Sequence, residues 1–270
     1  MNKSNPQNSD RVDYRTVLEC DQKRTNELSR MFKPYVEVTD AYAELVCEIV
    51  SIIGDTKPVS LQDVVIRDLL SDVFDALHEA RRIILTGKCS IAYPLARRVY
   101  ESLSLMTASV LNPAVAAKWH AGKEISNADV RKELAKHPLG ETEESTKWLY
   151  NFFCIATHPN RDLVQRRFLG EGNQFVLGAI GVPSLYLVTE YCMIHLRMWF
   201  WFTAVLIHHY HSIVVSRSSH FGGRYLKVAH VAQKIQAELN RHLDRLLNEE
   251  KQTYEKNADA YRHYRFPNVS

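Results

Sequence analysis

Glycine and proline are scarce in this chain, with only 10 and 9 among 270 residues. A turn-rich β-sandwich uses more of both to break and reverse its strands, so this composition excludes that class. Apolar residues, by contrast, make up 46% of the chain. They recur at helical spacing through most of its length, which predicts a globular all-α protein.

Charge and short motifs limit the function classes. The formal net charge is only +3, and such a small excess does not by itself indicate a nucleic acid or an anionic membrane. The sequence also lacks the spaced patterns of a zinc finger, a P-loop, a dinucleotide-binding loop, a Gly-x-Ser-x-Gly elbow and a kinase. We therefore expect no cofactor.

The cysteines form no Cys-x-x-Cys pair, and their number is odd. A disulfide framework is therefore not expected, and we interpret them as reduced thiols of a cytoplasmic protein. They are scattered through the chain, at Cys20, Cys47, Cys89, Cys154 and Cys192.

The sequence shows no targeting or membrane-spanning segment. Its first ten residues are polar and lack an apolar core, so we expect residues 1–13 to be a disordered lead and not a signal peptide. The main apolar run, Met198–Ile207, has about half the length that a spanning helix requires. Charged residues precede it and histidines follow, which favours a buried core helix over membrane insertion.

Hydrophobic periodicity and capping residues predict a helical bundle over residues 14–216. The helix from Ser60 starts with Ser60-Leu-Gln-Asp63, an N-cap with an acid three residues on. The helix predicted at Pro183–Ser216 is apolar on almost every side and should be central. Residues 165–179 predict a small β-hairpin, the one place where strands are expected. The predicted helices are Pro34–Gly54, Ser60–Thr86, Ser90–Leu111, Pro113–His120, Ser126–Lys136, Glu141–His158 and Pro183–Ser216.

A charged amphipathic helix is predicted over residues 224–264. At 1.5 Å rise per residue it would reach roughly 55 to 60 Å, beyond the body of a domain of this size. Its apolar stripe could dock on its own bundle, but this length leads us to predict a homodimer through the helix. The stripe consists of Val228, Ala232, Ile235, Leu239, Leu243 and Leu246, followed by Tyr254, Ala258 and Tyr261.

Two stretches place ionisable residues beside apolar helix faces. Arg97 and Glu101 are four residues apart and can pair, either as a flanking ion pair or as a guanidinium held ready for a phosphate. The second stretch runs from Tyr150 through His158 to Arg161. His158 is suited to proton transfer and Arg161 to stabilising phosphate charge, although His158 could equally cap its helix.

These two stretches, Leu95-Ala-Arg97-Arg-Val-Tyr-Glu101 and Tyr150 through His158-Pro159, resemble the helical HEPN-like family. The similarity is to members with a Leu-x-Arg-x-x-x-Glu helix and a later Tyr…His-Pro helix, and it covers roughly residues 60–211. It implies a bundle of four to five helices, often dimeric, in bacterial toxin–antitoxin, anti-phage or nucleotide-sensing systems. Some members are metal-independent ribonucleases.

Active ribonucleases of that family carry Arg-x(4 to 6)-His on a late helix. In this chain Arg131 with His137, and Arg224 with His230, have the required spacing. Two such matches are no more than chance supplies in a chain with 12 histidines, so they do not identify a catalytic motif.

A polar stripe crosses the apolar helix predicted at Pro183–Ser216. On such a helix it faces either a polar cavity or the only solvent that the helix reaches. The stripe consists of Glu190, Arg197, Trp201, His208 and His211.

A metal site is not expected, because the Glu-x-x-His pairs of a ferritin-like centre are missing around Asp75-Ala-Leu-His78-Glu79.

Together these features favour an intracellular HEPN-like protein that binds RNA or a nucleotide. Cleavage of RNA would use His158 as general acid or base, Arg97 and Arg161 as phosphate contacts, and Glu101 to hold Arg97. A partner protein of a defence or toxin–antitoxin pair is also expected. The alternative is a non-catalytic interaction module of a larger complex.

Overall fold

The computed structural model of the chain describes residues 13–136, five positions between 147 and 154, and residues 184–262, with side chains described as far as Glu249. This part of the chain contains eight helices and no strand, which confirms the all-α class. The hairpin predicted at 165–179, residues 1–12 and most of the helix predicted at 141–158 lie outside the described residues. The helices are α1 (Tyr14–Met31), α2 (Lys33–Gly54), α3 (Leu61–Ile84), α4 (Cys89–Leu111), α5 (Pro113–His120), α6 (Asn127–Ala135), α7 (Leu185–Arg217) and α8 (Phe221–Arg262).

The predicted bounds of α2 to α8 agree with the structure to within a few residues, and serine caps explain where α3, α6 and α7 start. The side chains of Ser60, Ser126 and Ser184 each accept a hydrogen bond from the backbone N–H three residues on. These bonds satisfy amides that have no partner within the helix. After α3, Gly87 adopts a φ of 79°, a conformation that glycine takes without steric cost, and the chain turns into α4.

Helix α1 is the one described helix that the sequence analysis did not assign. Its residues are mostly polar, so it has few of the apolar residues from which a buried helix face is recognised. Asp13 caps its first turn, and Leu28 is buried at its C-terminal end. Lys88 and Asp21 form an ion pair that joins α1 to the turn between α3 and α4.

Helix α7 is the centre of the bundle, as its apolar character predicts. It packs against α2, α3, α4 and α8, so almost all of its circumference is covered. None of the described helices is long and apolar enough to cross a membrane. The largest side chains that α7 buries are Tyr191, Trp199 and Phe202.

Helix α8 docks on its own chain. Ala232, Ile235 and Leu239 of its predicted stripe belong to the main core, and α8 packs against both α7 and α2. Leu246 is also buried. Four stripe residues are therefore buried without a second copy, and the homodimer through this helix stays a prediction.

A buried polar network joins the α2–α3 connection to α7. The Asp63 carboxylate, which is only 2% exposed, accepts from Nε of Arg67 at 2.8 Å, from the Val59 amide at 3.0 Å and from the Tyr210 hydroxyl. Arg67 also donates to the carbonyls of Ile53 and Thr56. Burial raises the pKa of Asp63, but the bonds from Arg67, Tyr210 and Val59 outweigh it and leave that pKa below its ordinary value.

A second, smaller core places α6 beside α4. It consists of Ala108 from α4 with Val130 and Leu134 from α6. Because Val130 and Leu134 lie one turn apart, they fix one face of α6 against α4. The adjacent face of α6 is thereby brought to the polar flank of α4 that carries Arg97 and Glu101.

Candidate functional site

The Arg97–Glu101 pair forms as the four-residue spacing predicts. Nε of Arg97 donates to Oε1 of Glu101 at 3.0 Å, and the side chains are 27% and 32% exposed. The hydrogen bond to Glu101 raises the pKa of Arg97, although partial burial opposes that effect. Arg97 is therefore a fixed cation close to the surface.

Tyr150 lies against this pair. Nη2 of Arg97 donates to its hydroxyl at 3.2 Å, and the Arg97 guanidinium carbon is 5.3 Å from the centre of its ring. Tyr150 is in helical conformation, and the nearby Phe153 is fully buried with its ring 5.5 Å from that of Tyr100. The two stretches that resemble the HEPN-like family thus meet in space at Arg97 and Tyr150.

Helix α6 contributes two residues that the sequence analysis did not assign to this site. Nδ2 of Asn127 donates to Oε1 of Glu101 at 3.1 Å and lies 3.5 Å from the Tyr150 hydroxyl. The Arg131 guanidinium carbon is 4.7 Å from the centre of the Tyr150 ring. Asn127 and Arg131 are four residues apart and share one face of α6. That spacing is a signal in the sequence, but it does not say which helix the face meets.

We call these five residues the Arg97–Arg131 cluster: Arg97, Glu101, Asn127, Arg131 and Tyr150. Two guanidinium groups and one carboxylate leave the cluster with one net positive charge. Nη1 of Arg131 is buried and has no hydrogen-bond partner in the described part of the chain. Buried N–H groups without a partner are rare in folded proteins.

The other two predicted site residues, His158 and Arg161, lie outside the described residues. Tyr150, from the same predicted stretch, is described and belongs to the cluster. The predicted roles of His158 in proton transfer and of Arg161 at a phosphate therefore stay predictions.

The polar stripe on α7 divides into two parts. Glu190 accepts from the hydroxyls of Tyr93 and Tyr186, and the Trp201 indole donates to Thr107 at 2.9 Å. These two members of the stripe are thus bonded within the bundle. Arg197, His208 and His211 are exposed. The stripe therefore faces neither a single cavity nor solvent alone.

His195 is a buried polar residue that was not among the residues predicted from the sequence to form a site. Its Nε2 lies 2.8 Å from the Leu77 carbonyl and its Nδ1 lies 2.7 Å from the Tyr35 hydroxyl. A carbonyl only accepts, so Nε2 carries the proton and Nδ1 accepts from Tyr35. Burial lowers the pKa of His195 to about 3, so the ring is neutral at physiological pH. Its contacts are structural, and a fully buried ring cannot exchange protons with a substrate.

None of the five cysteines is joined to another by a disulfide. Within the described ranges, no three His, Cys, Asp or Glu side chains lie close enough together to hold a metal ion. Comparison of the chain with protein-family models, with curated proteins and with solved structures finds no match. The resemblance to the HEPN-like family therefore rests on the two helical stretches alone.

Proposed function

We propose that this chain binds RNA or a nucleotide through phosphate groups at the Arg97–Arg131 cluster. The observation that carries the proposal is the convergence of two guanidinium groups, from α4 and α6, on the Tyr150 ring. Two guanidinium groups in a cluster with one net positive charge are suited to a phosphate, because guanidinium N–H groups match phosphate oxygens in geometry and charge.

The remaining members of the cluster support the arginines. Glu101 accepts from both Arg97 and Asn127 on the same oxygen, which ties α4 to α6 at this point. Arg97 is thereby held in one orientation, so less side-chain entropy is lost when a ligand binds. Arg131 is positioned by the Tyr150 ring, whose centre lies 4.7 Å from its guanidinium carbon.

The narrower form of the proposal is metal-independent cleavage of RNA in a bacterial defence or toxin–antitoxin system. It uses His158 as general acid or base and Arg161 as a second phosphate contact. The resemblance to HEPN-like proteins supports it, as does the meeting of Arg97 with Tyr150. We further propose a cytoplasmic location, where the five thiols would stay reduced.

The proposal is tested with RNA binding by the purified full chain, measured by fluorescence anisotropy with a labelled single strand. We expect Arg131→Gln to weaken binding about tenfold, the effect of losing one charge-assisted hydrogen bond. The matched control is Arg98→Gln, since Arg98 neighbours Arg97 in sequence but pairs with Asp72 instead. Absence of any binding to RNA or nucleotides would refute the proposal. Equal losses of affinity in Arg131→Gln and Arg98→Gln would show that the ligand does not bind at the Arg97–Arg131 cluster.

The catalytic form is tested separately, by RNA cleavage with and without a chelator. We expect cleavage to continue in the chelator and to be abolished by His158→Ala through loss of proton transfer. Cleavage that depends on a metal and survives His158→Ala would refute this mechanism while leaving phosphate binding intact.

A non-catalytic interaction module is the second candidate. It is favoured by large apolar side chains that α8 leaves exposed, namely Leu226, Val231 and Leu247. If the full chain binds no RNA or nucleotide but purifies in a fixed ratio with another protein, this second function is supported over the first.

A further inference from the structure

A groove of about 630 Å³ lies between α7 and α8. Its floor includes the buried side chains of Leu196 and Ala232. Phe200 and Leu226 line it as well and remain 46% and 67% exposed. Large apolar side chains this exposed are stabilised when an apolar group covers them. The groove therefore offers an apolar surface that the described part of the chain does not fill.

Arg197 supplies a positioned cation on the lining of this groove. When the Gln236 amide is oriented to suit both neighbours, it donates to the Met193 carbonyl at 3.2 Å and accepts from Nε of Arg197 at 3.3 Å. Within the described part of the chain, Arg197 forms no ion pair with any acid, and none of the described residues that line the groove is acidic. An oriented guanidinium without a carboxylate partner is complementary to an anionic group.

The size of the groove decides what kind of ligand fits. Sites for small molecules usually occupy about 300 to 1,000 Å³, and this groove falls within that range. A stable protein interface uses roughly 20 to 30 residues on each side, whereas nine of the described residues line this groove. The dimensions favour a small molecule over a partner protein.

We infer that the α7–α8 groove binds a small anionic amphiphile, a molecule with one carboxylate and an unbranched apolar tail. The carboxylate pairs with Arg197, and the tail covers Phe200 and Leu226. This site is built from other helices than the Arg97–Arg131 cluster, and the inference does not depend on the proposed function.

The experiment is calorimetric titration of the full chain with decanoate. We expect binding with one site per chain. Arg197→Gln should weaken it about tenfold, because one charge-assisted contact is lost. Arg241→Gln removes the same charge from an exposed position on α8 that does not line the groove, and it should leave the affinity unchanged. Decyltrimethylammonium, with the same tail and the opposite charge, should bind at least tenfold more weakly than decanoate.

A second variant tests the groove without changing any charge. Ala229 also lines the groove, and Ala229→Phe should fill it and abolish decanoate binding. Circular dichroism on each variant establishes that the helices are retained. The inference is overturned if decanoate does not bind, if Ala229→Phe retains the affinity in a folded chain, or if the cationic amphiphile binds as tightly as decanoate.

Discussion

Replacing the buried acid Asp63 by asparagine should destabilise the fold by about 3 kcal/mol. The carboxylate accepts from three donors, Arg67, Val59 and Tyr210, and it is 2% exposed. Asparagine has the same shape but only one accepting oxygen, so at least one buried donor loses its partner. The change also leaves the Arg67 guanidinium without its counter-charge.

The magnitude follows from the surroundings of Arg67. Breaking a buried ion pair by removing one partner costs about 3 to 5 kcal/mol. Here the cost should lie at the lower end, because the Arg67 side chain is 20% exposed and keeps bonds to Ile53 and Thr56. Asp72→Asn is the control: its carboxylate pairs with Arg98 at the surface, so this change should cost at most about 1 kcal/mol.

Urea unfolding followed by circular dichroism measures both changes on the full chain. Tyr210→Phe, which removes one donor to Asp63, provides a second check, and combined with Asp63→Asn it should cost less than the sum of the separate changes. A cost of Asp63→Asn no larger than that of Asp72→Asn would refute this prediction, since the network would then contribute no more than a surface pair.

The remaining predictions concern acid stability, the buried histidine and assembly. The pKa of Asp63 is lowered on folding, so its stabilisation is present above the unfolded pKa of about 3.9 and is lost as pH falls through the folded value. The free energy of unfolding, measured as a function of pH, should therefore fall less below pH 4 in Asp63→Asn than in the unchanged chain. Tyr35→Phe should cost about 1 to 3 kcal/mol in urea unfolding, because Nδ1 of His195 then lacks its donor; a neutral result would contradict the assigned tautomer. Light scattering at micromolar concentration should show a homodimer that Leu247→Asp, on the exposed side of α8, weakens. A monomeric full chain would refute the dimer.

Local interactions explain what the sequence alone determined. The helix from Ser60 could be predicted because its cap joins residues three apart, and the Arg97–Glu101 pair because its partners are four apart. Both contacts arise within about one helical turn and need no knowledge of the neighbouring helices. The central place of α7 was also predictable, because a helix that is apolar on almost every side must be covered on all of them.

Contacts between distant parts of the chain were decided only by the tertiary structure. Periodicity places Asn127 and Arg131 on one face of α6, but the packing of α6 on α4 determines that this face meets Tyr150. In the same way, His195 is paired with Tyr35, which lies 160 residues earlier in the chain. A hydrophobic pattern specifies which face of a helix is buried, whereas crossing angle and register specify its partner, and these depend on how all the side chains interlock.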